Sequence, residues 1–134
     1  MLSKNNRILL VTLYDRGALG IRSLSSFLKS NGYETSILYF KENKPRYMKK
    51  KENKQFNHLQ VDKVRQDYIL NYAAVPTKKE LFLFEKLLTR INPLFVGFSV
   101  TSIARETAIT LTNIVKKLGK LSLWGGIDPT TTPE

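Results

Sequence analysis

The chain alternates between solid apolar runs and spaced apolar stripes, and the order of the two predicts its fold. Arg7 leads into Ile8-Leu9-Leu10-Val11-Thr12-Leu13-Tyr14, an unbroken run of strand length. Such a run reads as a strand buried on both faces, the habit of parallel sheets in α/β folds. After a short loop, Leu19, Leu24, Phe27 and Leu28 recur near helical spacing, with Arg22, Ser25, Ser26 and Lys29 between them. Asn31-Gly32 closes this helix. Thr35-Ser36-Ile37-Leu38-Tyr39-Phe40 is β-rich and predicts a second strand. Strand, helix and strand at this spacing imply a right-handed crossover between parallel neighbours.

From Lys41 to Val75 the alternation stops. The first half of this segment is charged. The second half (Phe56, Leu59, Val61, Val64, Tyr68, Ile69, Tyr72) has enough apolar residues for a short helix or a partly ordered lid. Regular structure restarts at Pro76, with Thr77 as N-cap and Glu80 three residues on, a capping-box pattern. Leu81, Phe84, Leu87, Leu88 and Ile91 make the buried stripe of this helix, and Asn92-Pro93 stops it.

Leu94 to Val100 is the third strand, and Thr101 or Ser102 can cap the helix after it. That helix carries Ala104, Ala108, Leu111, Ile114, Val115 and Leu118 as its stripe and ends at Gly119. Leu121 to Trp124 is the fourth strand, and Gly125 to Thr130 turns out of it. The expected fold is a doubly wound (Rossmann/flavodoxin-like) α/β parallel sheet of about four strands. Its expected order is 2-1-3-4, with an insertion after the second strand. Residues 1–134 are expected to be one α/β domain, with 41–75 as a basic insertion. No helix or fifth strand follows the fourth strand, and an uncovered edge strand is a liability. The chain is therefore expected to be a fragment of a longer protein.

Composition narrows the chemistry. There is no cysteine, which rules out disulfides, cysteine nucleophiles, thiolate zinc sites and an iron–sulfur cluster held by this segment. No apolar run approaches the ~20 residues of a membrane span. The N-terminus lacks a signal-peptide apolar core, and a cytoplasmic setting is expected. The net charge is +11, and seven basic residues lie between Lys41 and Lys54 against Glu42 and Glu52. Only Tyr47 interleaves them, and no base-reading helix is apparent. The run reads as a solvated lysine-rich segment rather than a nucleic-acid interface.

In open α/β sheets, ligands gather outside the carboxyl ends of the strands. Three such ends converge here: Asp15, Arg16, Gly17, Ala18, Leu19 and Gly20; Ser99, Val100, Thr101 and Ser102; Gly125, Gly126, Ile127 and Asp128. The glycines permit close backbone approach, and the hydroxyls can donate or accept. The carboxylate cluster of a receiver domain is missing, as is a hydroxyl-rich flavodoxin phosphate loop. A dinucleotide fingerprint is matched at two of its three glycines, with Asp15 in the first position and Glu42 placed for a ribose.

The same loop fits another template. Asp15-Arg16-Gly17-Ala18-Leu19-Gly20 resembles the Asp-x-His-x-x-Gly of the cobalamin-binding domains of methionine synthase and related mutases, with Gly17 at the histidine position. Val96 to Ser102 resembles that family's serine/threonine loop. Trp124-Gly125-Gly126-Ile127-Asp128-Pro129-Thr130, ending Pro133-Glu134, resembles the Gly-Gly-x-His-Pro-Thr…Pro-Glu stretch of the N-terminal domains of cobalamin-binding radical SAM proteins. Asp128 stands where those have histidine. The anaerobic magnesium-protoporphyrin monomethyl ester cyclases are one branch with this layout.

The resemblance implies a non-catalytic cobalamin-binding module of a radical SAM methyltransferase or cyclase. The partner barrel, with its S-adenosylmethionine and iron–sulfur cluster, would lie beyond Glu134. It also implies a corrin across the strand ends, with its nucleotide tail beside Ser99, Thr101 and Gly125-Gly126. Gly17 supplies no axial imidazole. The only histidine, His58, falls in the insertion and reads as a surface residue. Two other readings stand beside this one: a basic nucleic-acid or anion-binding module, and a nucleotide-binding α/β domain.

Overall fold

Arg7–Tyr14 forms β1, and every residue from Ile8 to Leu13 is at most 2% exposed. That is the double-sided burial expected of a solid apolar run in a parallel sheet. The computed structural model describes residues 4–15, 17–42, 46–49, 60–61, 67–70, 75–126 and 129–130. Leu19–Ser30 is α1 and Glu34–Glu42 is β2. Lys78–Ile91 is α2, Phe95–Ser99 is β6, Arg105–Lys117 is α3 and Leu121–Gly125 is β7. Between β2 and α2 in the chain come three short strands, β3 (Arg46–Lys49), β4 (Gln60–Val61) and β5 (Asp67–Leu70). β2, β1, β6 and β7 are neighbours in that order, and all three pairings are parallel. The doubly wound α/β sheet with strand order 2-1-3-4 is what the sequence pattern predicts.

Alternate residues of β1 feed two cores. Leu9, Val11 and Leu13 pack with Val96 and Phe98 of β6, Phe84 and Leu88 of α2, and Ala108, Leu111 and Val115 of α3. Ile8 and Leu10 pack with Ala18 and Ile21 on the opposite face. Each fully buried Val, Leu or Phe contributes about 1.5–3 kcal/mol. The two-helix face therefore holds most of the stabilisation.

α2 starts as predicted. Thr77 Oγ1 accepts from the Glu80 N–H at 3.2 Å, and the Glu80 carboxylate accepts from the Thr77 N–H at 2.7 Å. Helix α3 differs. A 3-10 turn over Ser102–Ala104 precedes it, and no side chain caps either piece, so Thr101 and Ser102 do not serve as caps. The turn supplies a backbone bond instead, from the Ala104 N–H to the Thr101 carbonyl at 2.9 Å.

Helix α1 also departs from expectation. Its buried residues are Ile21 and Ser25, while Leu24 and Phe27 of the predicted stripe are 45% and 64% exposed. The side facing the sheet carries a small hydroxyl residue, with Ser25 Oγ hydrogen-bonded to Thr35 Oγ1 of β2. A stripe drawn through large apolar residues passes over it.

Residues 43–74 form a compact unit of their own. Arg46–Lys49 (β3), Gln60–Val61 (β4) and Asp67–Leu70 (β5) make a small antiparallel sheet, ordered β3-β5-β4. Where a short helix or a partly ordered lid is expected, Val61, Tyr68 and Ile69 lie in strands. An aromatic and β-branched run is well suited to pairing once a partner strand is at hand. Phe56, Leu59, Val64 and Tyr72 of the same apolar stretch lie outside the described residues, as does His58. Among the described residues, no helix is long and apolar enough to cross a membrane.

Candidate functional site

Because β1, β6 and β7 are adjacent and parallel, their side chains line up in rows. Leu10, Gly97 and Leu123 form one row, and Thr12, Ser99 and Gly125 form the next, towards the carboxyl ends. Helix α1 stands over β1 and β2 on this face. On this face no helix among the described residues stands over β6 and β7, and Leu121 and Leu123 remain 69% and 59% exposed. The result is a groove of about 450 Å³ with α1 as its wall and the bare half of the sheet as its floor.

The floor narrows in side-chain size towards the rim, from Phe95 through Gly97 to Ser99 and Gly125. Leu24 and Leu28 of α1 face it, which accounts for their incomplete burial against the helix's own strands. Trp124, the only tryptophan, also borders the groove, and its Nε1–H donates to Thr112 Oγ1 of α3 at 2.9 Å. None of the described side chains that line the groove ionises.

The glycines divide by what a side chain would meet. A Cβ at Gly20 or Gly125 would point into open space, with nothing within 4 Å. At Gly97 it would come within 3.0 Å of Leu10 Cδ2. Gly126 is different: its φ is +105°, and a Cβ would lie 2.9 Å from the Val100 carbonyl oxygen. The Val100 N–H donates to the Gly125 carbonyl at 2.8 Å, which stitches the two loops together. Gly126 therefore shapes the rim, whereas Gly20 and Gly125 leave room beside it.

The first loop is held from within. The Asp15 carboxylate accepts from the Gly17 N–H at 2.9 Å and the Ala18 N–H at 3.1 Å. Thr12 Oγ1 donates to the Asp15 carbonyl at 3.2 Å. Tyr14 and Ala18, on either side, have φ of 60° and 43°. Left-handed non-glycine residues cost energy and tend to gather where a loop is held for a task.

Of the residues expected at the site, the groove gathers Gly20, Ser99, Gly125 and Gly126. Asp15 and Gly17 are exposed in the loop beside α1, and Leu19 points outward at 76% exposure. Ala18 and Val100 are buried in the two cores. Thr101 and Ser102 are exposed at the rim. Arg16, Ile127 and Asp128 lie outside the described residues. Gly97 also lines the groove, and its signal in the sequence is a glycine inside a strand, a mark of close approach.

No protein-family model, no curated protein and no solved structure matches the chain.

Among the described residues, no cluster of His, Asp or Glu could hold a metal ion by itself.

Proposed function

We propose that this chain binds cobalamin and serves as the cofactor-carrying module of a larger radical SAM enzyme, with no catalysis of its own. The observation that carries the reading is the groove over β6 and β7. Gly20, Gly97 and Gly125 keep it open where any other residue would begin to fill it. A flat heterocyclic tail entering at the strand ends would lie between Leu24 and Leu28 on one side and Leu123 on the other. Ser99 Oγ is placed at the mouth, within reach of a tail's polar atoms.

The corrin itself would rest on the rim formed by the loops at Asp15–Gly20 and Ser99–Ser102. When bound, cobalamin supplies a redox-active cobalt centre. This chain's residues bind and orient it. Gly17 brings no imidazole, and the Asp15 carboxylate is occupied with two loop N–H groups. The protein's grip is therefore on the tail and the corrin edge. The barrel carrying S-adenosylmethionine and the iron–sulfur cluster belongs to the same proposal, as the partner covering the other face of the corrin.

The test is a titration with hydroxocobalamin, followed by amide NMR and by the visible spectrum. Shifts centred on Gly20, Gly97, Ser99 and Gly125 support the reading. Gly125→Val is the informative variant, since a side chain there meets nothing within 4 Å and valine favours a strand. It should keep the fold and weaken binding at least tenfold. Binding unchanged in Gly125→Val, or shifts confined to the lysine-rich segment and lost with salt, would sink the proposal.

A further inference from the structure

The other edge of the sheet carries a second feature, on the opposite face from the cofactor groove and independent of it. β2 is nine residues long and pairs on one side only, with β1. Its outer edge has no strand neighbour among the described residues. Leu38 and Phe40 turn towards α2, and an apolar groove of about 330 Å³ runs between them and Leu83 and Leu87 of that helix. A strand added outside β2 would direct alternate side chains into this groove. The backbone edge and the side-chain slot are thus in register with each other.

Charge says what the strand must be. Leu83 is 52% exposed, and Lys79, Lys86 and Arg90 lie four before, three after and seven after it, on the same stripe of α2. The neighbouring acids are engaged. Glu80 holds Lys41 at 2.9 Å, Glu85 lies 3.7 Å from Lys117, and Glu34 lies 3.3 Å from Arg7. Lys86 Nζ sits 4.7 Å from the centre of the Phe82 ring, and no acid among the described residues pairs with Lys79, Lys86 or Arg90. Glu80, in the lining of the groove, is paired with Lys41, and the α2 surface flanking Leu83 carries only the basic Lys79, Lys86 and Arg90 on that stripe.

We infer that the edge of β2 and the outer stripe of α2 form a docking site for an extended segment of a partner protein. That segment joins the sheet as a fifth strand, sets alternate apolar side chains against Leu83 and Leu87, and presents carboxylates to Lys79, Lys86 and Arg90. Backbone pairing supplies the register, and the basic stripe selects an acidic strand over a basic one.

The probe is a fluorescein-labelled seven-residue peptide alternating valine with glutamate, titrated into the full 134-residue chain. Controls replace glutamate by lysine, or the central valine by proline. The glutamate peptide should bind, with amide shifts over Glu34–Lys41 and Lys79–Arg90. The lysine and proline versions should be weaker by about tenfold or more. Leu83→Asp should abolish binding, and Lys86→Glu, a change at an exposed position that leaves the core alone, should weaken it severalfold. Several outcomes overturn the inference: equal binding of the lysine peptide, shifts at β7 instead of β2, self-pairing of two copies through β2 without peptide shifts, or no binding at all.

Discussion

Lys41 Nζ contacts both carboxylate oxygens of Glu80, at 3.0 and 2.9 Å, and lies 3.4 Å from the Val75 carbonyl oxygen. The pair joins the last turn of β2 to the first turn of α2, the two places where residues 43–74 leave and rejoin the parallel-sheet unit. Lys41 is mostly buried and has a left-handed φ of 63°. The chain bends sharply there to bring its ammonium under the helix start.

This arrangement makes stability depend on acid. The Thr77 N–H first, and the Lys41 ammonium second, hold the Glu80 carboxyl below the usual glutamate range. A carboxyl whose pKa falls on folding contributes stability that is complete above its unfolded value and lost as pH falls through the folded one. Denaturant unfolding should therefore show stability dropping below about pH 4.5, with Glu80→Gln reducing that drop while keeping the capping geometry. An identical pH profile for the variant would remove Glu80 from the account. Thr77→Ala should cost roughly 1 kcal/mol at neutral pH.

The same clasp predicts that residues 43–74 are dispensable for the parallel-sheet unit. Replacing them by a short Gly-Ser linker shortens the loop and leaves Lys41, Val75 and Glu80 in place, and loop-closure entropy changes only slowly with length. The shortened chain should retain its helical circular dichroism and its amide spectrum over β1, β6 and β7. Collapse of those signals would mean that the small antiparallel sheet is needed for folding.

Gly20 offers a trade between stability and binding. It lies in the first turn of α1, and a Cβ there meets nothing within 4 Å. Gly20→Ala should stabilise the protein by about 0.5–1 kcal/mol, because glycine is the costlier residue in a helix. If the groove takes cobalamin as proposed, the same change should weaken hydroxocobalamin binding by narrowing the groove. Gly126→Ala should do the reverse to the fold, at a cost of about 1–3 kcal/mol, since its φ and the Val100 carbonyl both oppose a side chain. Thermal melts of the two variants should move in opposite directions.

Trp124 is the sole tryptophan and lies between the groove and α3. Thr112→Val removes the acceptor of its indole N–H while keeping the shape. About 1 kcal/mol should be lost, with a shifted fluorescence maximum. An unshifted maximum would show that the indole already bonds elsewhere.

Much of the fold was legible because the solid run at Ile8–Leu13 and the capping box at Thr77–Glu80 leave few alternatives. The buried side of α1 was not, because Ser25 faces the sheet through a hydroxyl pair with Thr35 and carries no apolar signal. For the same reason Leu24 and Leu28 read as ordinary core when they are groove wall. At the site, the rim glycines stood out as loop residues. Gly97 did not, since its role comes from its row with Leu10 and Leu123, a relation that exists only after strands pair. Residues 43–74 misled because apolar residues at mixed spacing suit a helix or a strand until a pairing partner decides.

Among the described residues, the β6–β7 half-face has no helix over it, and this has a consequence for how the protein behaves in bulk. Leu24, Phe27, Leu121 and Leu123 present an oily surface on a molecule whose net charge is +11. Repulsion between like-charged copies keeps these surfaces apart, and that repulsion is screened by added salt. Ordinary salt should thus act here as a precipitant. The clearest solutions should be dilute in electrolyte, and filling the groove should restore tolerance to brine.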